Sequence, residues 1–177
     1  MTDMADRNLI LYAAGYADQD SATEDYEALK ELKDVQAYII EAVIMDRDEN
    51  GKITVRDKAH IVSGGAVAGG GVGLVVGLFA PPLLAATAVG AGIGAAIGGL
   101  VKKHHEHELA KEIDDVLPNN SSAIIAVLDD AYADQVDKAL AKAGKKVVKE
   151  VDSADAADLE KALQGGDDSE LVKQLNS

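Results

Sequence analysis

The sequence predicts an α+β fold in which a small domain of strands and helices carries a long apolar insertion. Short apolar runs alternate with helix-like segments on both sides of the chain's middle, as expected when sheet and helices form separate layers. Between the two sides, residues 61–101 contain no charged side chain. The 177 residues therefore suit one domain with an insertion better than two complete domains.

The part before the insertion is predicted to contain a strand, a helix and two more strands. The apolar run Leu9–Tyr12, continued by residues 13–16, indicates a buried strand. Apolar residues three to four apart predict the helix that follows. Its candidate N-caps are Asp18, Asp20 and Ser21, and its inner face is Ala22, Tyr26, Leu29 and Leu32. Residues 37–45 and 53–55 are the second and third strands, joined by a turn at Asn50-Gly51.

The part after the insertion repeats the alternation of helix and strand. The pattern predicts a polar helix over 104–117, a strand over 122–128, a helix over 132–143 capped by Gly144, and a last strand over 146–151. The order β-α-β-β, insertion, α, β-α-β contains the elements of a ferredoxin-like sandwich. The predicted fold is therefore a ferredoxin-like sandwich with an inserted helical hairpin.

This fold divides the chain into four parts. Residues 1–58 form the first half of the ferredoxin-like domain, and residues 59–103 form the apolar hairpin. Residues 104–153 form the second half of the domain, and residues 154–177 form an acidic helical tail.

The insertion is predicted to be an antiparallel helical hairpin of the glycine-zipper type. Small residues recur every four positions, which places them on one face of each helix: Gly65, Gly69, Gly73 and Gly77 in the first half, and Ala86, Gly90, Gly94 and Gly98 in the second. Pro81-Pro82 ends the first helix and reverses the chain. Each glycine costs a helix about 0.8–1 kcal/mol relative to alanine, so the rows indicate close packing of backbones. The seven glycines are therefore the predicted homo-oligomer interface.

Two environments for the hairpin remain open. Residues 61–80 and 83–101 are each about 20 residues long, enough to cross the hydrocarbon core of a bilayer. Basic residues flank both ends of the hairpin, and they are Arg56, Lys58, Lys102 and Lys103. This pattern fits two crossings with the globular part in the cytoplasm. The many glycines of the hairpin, and the lack of Trp and Tyr in residues 61–101, fit equally a soluble assembly in which hairpins bury one another.

Composition limits the classes of function. A net charge of −14 argues against nucleic-acid binding, which needs basic patches. The absence of cysteine excludes disulfides, thiolate metal sites and a cysteine nucleophile. Residues 1–8 have no apolar run of signal-peptide length. Since no phosphate-binding loop or nucleophile motif is present, the sequence predicts a protein that is not an enzyme and has no cofactor, unless one of two polar clusters binds a metal.

The first cluster resembles an EF-hand calcium loop, in which alternate residues point oxygens at one ion and glycine permits the sharp turn. Its candidate ligands are Asp46, Asp48, Asn50 and Asp57, with Gly51 at the turn. The last ligand is Asp where Glu is usual, and the flanks resemble strands. A solvated hairpin turn is therefore the alternative interpretation.

The second cluster lies at the two ends of the hairpin. His60 precedes it, and His104 and His107 follow it on one helix face. An antiparallel hairpin would bring these imidazoles together, where they could bind a transition metal or titrate near neutral pH. Solvated histidines at a helix start are the alternative.

The arrangement resembles a bacterial and archaeal family known as domain of unknown function 1269 (DUF1269). The residues that carry the resemblance are Leu9–Tyr12, the turn over 46–53, the glycine hairpin with Pro81-Pro82, and residues 122–127. The resemblance extends to about residue 151 and implies a membrane-associated or oligomeric protein without an assigned activity. The expected location is the inner membrane with a cytoplasmic globular part, and the alternative is the cytoplasm.

These observations predict a non-enzymatic protein that self-associates through a membrane-inserted glycine-zipper hairpin, with itself and the bilayer as partners. A soluble structural homo-oligomer, built as a shell, ring or filament, is the first alternative. A metal or pH sensor is the second.

Overall fold

The computed structural model describes residues 8–33, 39–59 and 115–151. Residues 115 and 116 are helical. Within the same ranges lie five strands, two complete α-helices and one short 3₁₀ turn. They are β1 (Leu9–Tyr16), α1 (Gln19–Lys30), β2 (Ile39–Arg47), β3 (Ile53–Ala59), β4 (Ser121–Asp129), the 3₁₀ turn (Asp130–Tyr132), α2 (Ala133–Ala139) and β5 (Lys145–Glu150). The predicted hairpin and the predicted acidic tail lie outside the described residues.

The five strands form one sheet in the order β3-β2-β4-β1-β5, and every neighbouring pair is antiparallel. Helix α1 connects β1 to β2, and β4 lies between these two strands. Helix α2 connects β4 to β5 across β1. The α+β class predicted from the sequence is confirmed, because an antiparallel sheet is combined with helices in a second layer.

The main core lies between the sheet and the two helices. Strands β1 and β4 direct alternate side chains to this side, and α1 adds residues spaced three to four apart. The buried residues include Ile10, Tyr12, Ala14, Tyr16, Ala22, Tyr26, Leu29, Ile124, Ala126, Leu128, Val136 and Leu140. Burial of a side chain the size of leucine contributes about 1.5–3 kcal/mol, so this layer holds the helices on the sheet.

The opposite face of the sheet is buried as well. Leu11, Val43, Met45, Ile125 and Val127 are at most 4% exposed, and all eight residues of β1 are buried. Burial on both faces explains why β1 and β4 are continuous apolar runs and not alternating ones.

The backbone of Val116 lies directly against β1 on this second face of the sheet. A Cβ added at Gly15 would be 2.2 Å from the carbonyl oxygen of Val116, which is itself buried. Only glycine permits such a close approach. The chain entering β4 therefore lies flat on the end of β1.

The sequence predicts a helix over 132–143 capped by Gly144, but α2 ends several residues earlier. The backbone N–H of Lys142 donates to the Asp25 carboxylate at 2.8 Å, and that of Gly144 donates to the Gly15 carbonyl at 2.9 Å. Because tertiary partners take these donors, the chain turns into β5 and the helix does not continue.

Strand β3 continues well past the predicted residues 53–55, and it includes Arg56 and Lys58. Strands β3 and β4 both run antiparallel to β2, and both begin beside Arg47. β3 ends beside Ala42. The chain between the two strands therefore has to return along the length of the sheet before β4 can begin.

Candidate functional site

A polar cleft of about 420 Å³ lies where the N-terminus of α1, the β2–β3 turn and the start of β4 meet. The residues that line it are all polar or charged, and they are Asp18, Gln19, Asp46, Arg47, Asp48, Lys52, Thr54, Asn120 and Ser121. Two residues of the predicted calcium loop, Asp46 and Asp48, are among them. The cleft is the candidate functional site because it combines these residues with the start of β4, the first described strand after the insertion.

Asp46 forms a two-pronged ion pair with Arg56. Its carboxylate oxygens lie 2.8 Å from Nε and 3.0 Å from Nη2 of the guanidinium, and the Ser122 hydroxyl donates to the same carboxylate at 2.5 Å. The register of β2 and β3 shifts by one residue beside Met45, which makes Arg56 the extra residue of a β-bulge. A bulge redirects a side chain, and here it directs the guanidinium towards Asp46.

The same guanidinium extends to helix α1. Arg56 Nη1 donates to the Thr23 hydroxyl at 2.5 Å and to the Gln19 carbonyl at 3.3 Å. Arginine offers five donors in a rigid plane, so one residue on β3 links β2 and the first turns of α1. Asp18 begins that helix as its N-cap, accepting from the Ser21 backbone N–H at 2.8 Å. This bond is the main cause of the lowered pKa of Asp18.

Asp48 organises the β2–β3 turn. Its carboxylate accepts from the backbone N–H groups of Asn50 and Lys52, each at 2.8 Å, and Gly51 adopts a left-handed φ of +82°. Aspartate that accepts from the backbone two residues ahead is a common turn device. The carboxylates of Asp46 and Asp48 thus have separate protein partners.

The calcium interpretation needs a third carboxylate, Asp57, whose side chain is not among those described. Within residues 8–33, 39–59 and 115–151, no three His, Asp or Glu side chains are grouped closely enough to hold a metal ion. The turn itself joins two antiparallel strands, as the hairpin alternative expects. Calcium binding by Asp46, Asp48, Asn50 and Asp57 stays a prediction.

The residues that lead into β4 are fastened to the same turn. Arg47 Nη1 donates to the Leu117 carbonyl at 3.0 Å, and Asn119 Nδ2 donates to the Glu49 carbonyl at 3.1 Å. Asn120 has a left-handed φ of 59°, which asparagine tolerates better than most residues. The cleft is therefore located where residues 117–120 lead the chain into β4.

A second polar cluster joins β1, α2 and β5. The Tyr12 hydroxyl donates to the Asp137 carboxylate, and Lys146 Nζ donates to the same carboxylate and to the Asp137 carbonyl, both at 2.9 Å. Burial, followed by the bond to Asp137, raises the pKa of Tyr12. The bonds from Tyr12 and Lys146 lower the pKa of Asp137. Both shifts favour the neutral phenol and the charged carboxylate at neutral pH.

A third group is centred on Asp25, which is only 4% exposed. Its carboxylate accepts from the Tyr16 hydroxyl at 3.1 Å and from the Lys142 backbone N–H at 2.8 Å. Burial, followed by the charge of Asp25, raises the pKa of Tyr16. Asp25 therefore connects β1, α1 and the loop before β5.

Sequence reasoning missed the roles of Arg56, Ser122, Asp25 and Asp137. Asp25 had a detectable signal, because it occupies the apolar stripe formed by Ala22, Tyr26 and Leu29. Arg56 had none, since its role depends on a bulge that sequence periodicity does not show.

The remaining predicted site residues lie outside the described residues. They are His60, His104 and His107, and the glycines Gly65, Gly69, Gly73, Gly77, Gly90, Gly94 and Gly98. In the part of the chain that the structure describes, no helix is long and apolar enough to cross a membrane.

Comparison with known proteins identifies a family but no individual relative. No curated protein and no solved structure matches the chain. The model of a family described as "Protein of unknown function (DUF1269)" matches residues 66–164, more than half of the 177 residues. The matched range includes β4, α2 and β5, the described strands and helix that follow the insertion. The chain therefore belongs to the DUF1269 family.

Proposed function

We propose that this protein is a non-enzymatic, self-associating membrane protein, in which a ferredoxin-like domain holds a glycine-zipper hairpin (residues 59–103) that inserts into the bilayer and binds copies of itself. The observation that carries the proposal is the polar junction around Asp46 and Arg56. It fixes β3, from which the insertion departs, and lies beside the residues that lead into β4, the first described strand after the insertion.

The chemistry of this junction supports a structural role. The Asp46 carboxylate accepts hydrogen bonds from Arg56 and Ser122. The Asp48 carboxylate accepts hydrogen bonds from backbone N–H groups of its own turn. Groups that serve as acid, base or nucleophile need access to a substrate, whereas these groups are occupied by bonds between elements. A rigid base of this kind would set the direction in which the hairpin leaves the domain.

The strand order supports the ferredoxin-like part of the proposal. Without β3, the order β2-β4-β1-β5 is that of a split β-α-β pair, with each helix crossing over an intervening strand. β3 then extends the sheet at its edge and leads into the insertion. The cytoplasmic domain of an inner-membrane protein is the expected setting.

The alternative is a soluble homo-oligomer in which hairpins from several copies bury one another. Both versions use the same glycine rows, since close backbone packing is favourable in lipid and in a protein interior. They differ in whether lipid or protein covers the apolar sides of the hairpin.

Fractionation of the expressed full-length chain separates the two versions. A membrane protein should remain in the pellet after a carbonate wash and dissolve only in detergent. A large, monodisperse particle in plain buffer, measured by light scattering, would contradict membrane insertion and favour the soluble assembly.

Self-association is tested separately by substitutions in the glycine rows. Gly73→Leu and Gly94→Leu add bulk where helix backbones should meet, and each is expected to abolish the oligomer in cross-linking and light scattering. Val75→Leu adds a methylene away from the row and is the matched control. An unchanged oligomer in either glycine variant would contradict the zipper interface.

A further inference from the structure

We infer that β5, at one edge of the sheet, pairs antiparallel with β5 of a second copy of this chain, with Val148 facing its counterpart on the two-fold axis. β5 pairs only with β1 among the described strands. Such an edge presents free backbone donors and acceptors to another strand. This contact is separate from the glycine hairpin and does not depend on the function proposed above.

The direction of the backbone groups follows from one hydrogen bond. The Val151 N–H donates to the Leu9 carbonyl on β1 at 2.9 Å. Because successive residues of a strand direct their backbone groups to opposite neighbours, those of Lys146, Val148 and Glu150 point away from β1. These three residues are the ones available to a strand beyond the edge.

The side chains of the same three residues form a self-complementary row. By register they share a sheet face with Ile10, Tyr12 and Ala14. With Val148 opposite Val148, an antiparallel copy sets Lys146 opposite Glu150 twice. Opposite charges facing one another across a strand pair are stabilising, and like charges are destabilising.

Other registers are worse. A pair centred on Val147 would set Lys145 opposite Lys149, which places like charges together on both sides of the axis. Shifting the register by a single residue would turn one copy over, so that the helix-covered face of one sheet would continue into the opposite face of the other. The three lysines of this strand therefore oppose most pairings and allow the one centred on Val148.

Exposure agrees with this register. Val148 is 51% exposed, the large apolar side chain that stands out among the described residues. Lys146 uses two hydrogen bonds on Asp137, and an ammonium group has three donors, so one donor is left for a partner's glutamate. Glu150 is exposed.

Two short strands bury less area than the roughly 1,200–2,000 Å² of a standard interface, so the pairing is expected to be weak and dependent on concentration. If the hairpin also self-associates, as proposed above, a second interface of this kind would link neighbouring oligomers into an extended array.

Disulfide trapping in the full-length chain tests the inference, because the chain has no cysteine of its own. Opposed residues of a hydrogen-bonded pair have Cα atoms about 5.5 Å apart, within the range of a disulfide. Val148→Cys should form a covalent dimer under mild copper-phenanthroline oxidation, with a yield that rises with protein concentration. Glu49→Cys, at the turn next to the opposite edge, is the control and should give only traces.

Charge reversal tests the register. Adding Glu150→Lys to Val148→Cys places lysine opposite Lys146, and trapping should fall by about fivefold. Repeating the experiment with Gly73→Leu removes the zipper contact, and trapping at position 148 should persist. Equal trapping at positions 148 and 49, no effect of Glu150→Lys, or loss of trapping with Gly73→Leu would each overturn the inference. Protection of β5 amides without trapped dimer would also overturn it and would favour an extended peptide of another protein on this edge.

Discussion

The guanidinium of Arg56 lies side-on against the carboxylate of Asp46, with nitrogen–oxygen distances of 2.8 and 3.0 Å. Arg56 side-chain exposure is 28% and that of Asp46 is 13%. The pair is thus partly withdrawn from water, and it connects β3, the last described strand before the insertion, to its neighbour β2.

Loss of this pair should destabilise the fold. Asp46→Ala leaves Nε and Nη2 of Arg56 and the Ser122 hydroxyl without their acceptor, and we expect the free energy of unfolding to fall by about 1–3 kcal/mol. Arg56→Lys keeps the charge but loses the planar fork, so it should also be destabilising. Urea unfolding followed by circular dichroism measures both. Glu49→Ala, at the exposed turn, is the control, and an equal loss in this control would contradict the assignment.

Gly15 should tolerate no side chain. In Gly15→Ala the new Cβ would meet the Val116 carbonyl oxygen at 2.2 Å, and backbone has little freedom to move away. We expect a loss of about 1–3 kcal/mol and faster hydrogen exchange of the residues leading into β4.

Gly144→Ala provides the matched control, because the nearest atom to its added Cβ is 3.9 Å away. Its stability should stay within about 0.5 kcal/mol of the unsubstituted chain. Similar losses in the two variants would show that the contact with Val116 is not the cause.

Asp25 should be the most sensitive carboxylate on α1. Asp25→Ala leaves the Tyr16 hydroxyl and the Lys142 N–H without an acceptor in a buried setting, which should cost about 2–4 kcal/mol. Glu27→Ala removes an exposed carboxylate of the same helix and should change stability by less than about 0.5 kcal/mol. A double-mutant cycle of Asp25→Ala with Tyr16→Phe should give a coupling energy, and strict additivity would contradict the bond.

The Tyr12–Asp137 bond predicts a loss of stability at both extremes of pH. The folded-state pKa of Tyr12 is raised, so its contribution is complete below the unfolded value of about 10 and is lost as the pH rises above it. The folded-state pKa of Asp137 is lowered, so its contribution is present above about pH 4 and is lost as the pH falls through the folded value.

Melting temperatures measured from about pH 2 to about pH 11.5, a range that extends below the ordinary pKa of aspartate and above that of tyrosine, test this prediction. Tyr12→Phe should flatten the alkaline decline, and Asp137→Asn should flatten the acid decline. Curves that stay parallel to those of the unsubstituted chain would show that this pair does not govern either limb.

Much of the fold could be predicted because local pattern determines it. The apolar runs at Leu9–Tyr12 and over 122–128 lie in β1 and β4. Three of the four residues predicted for the inner face of α1, namely Ala22, Tyr26 and Leu29, are buried on it, whereas Leu32 lies past the helix end and is partly buried. The turn at Asn50-Gly51 joins β2 and β3 as predicted. Each of these features depends on residues that are close in sequence.

The parts that could not be predicted depend on residues far apart in sequence. α2 ends early because Asp25, more than a hundred residues away, binds the Lys142 N–H. Arg56 pairs with Asp46 at a β-bulge between β2 and β3, and the sequence pattern does not show that bulge. Sequence periodicity reports which face of an element is apolar, and it contains no information about which partner a polar side chain will meet.

The relative direction of β3 and β4 limits how the chain could be shortened. A linker replacing the insertion would have to extend from the level of Ala42 back to that of Arg47, about 17 Å along the strands, and pass around β2 as well. A tight turn spans only a few ångströms, so joining Ala59 directly to Ser121 would prevent β3 and β4 from both pairing with β2. A minimised globular version should therefore keep residues 115–120 and bridge the gap with a long hydrophilic tether.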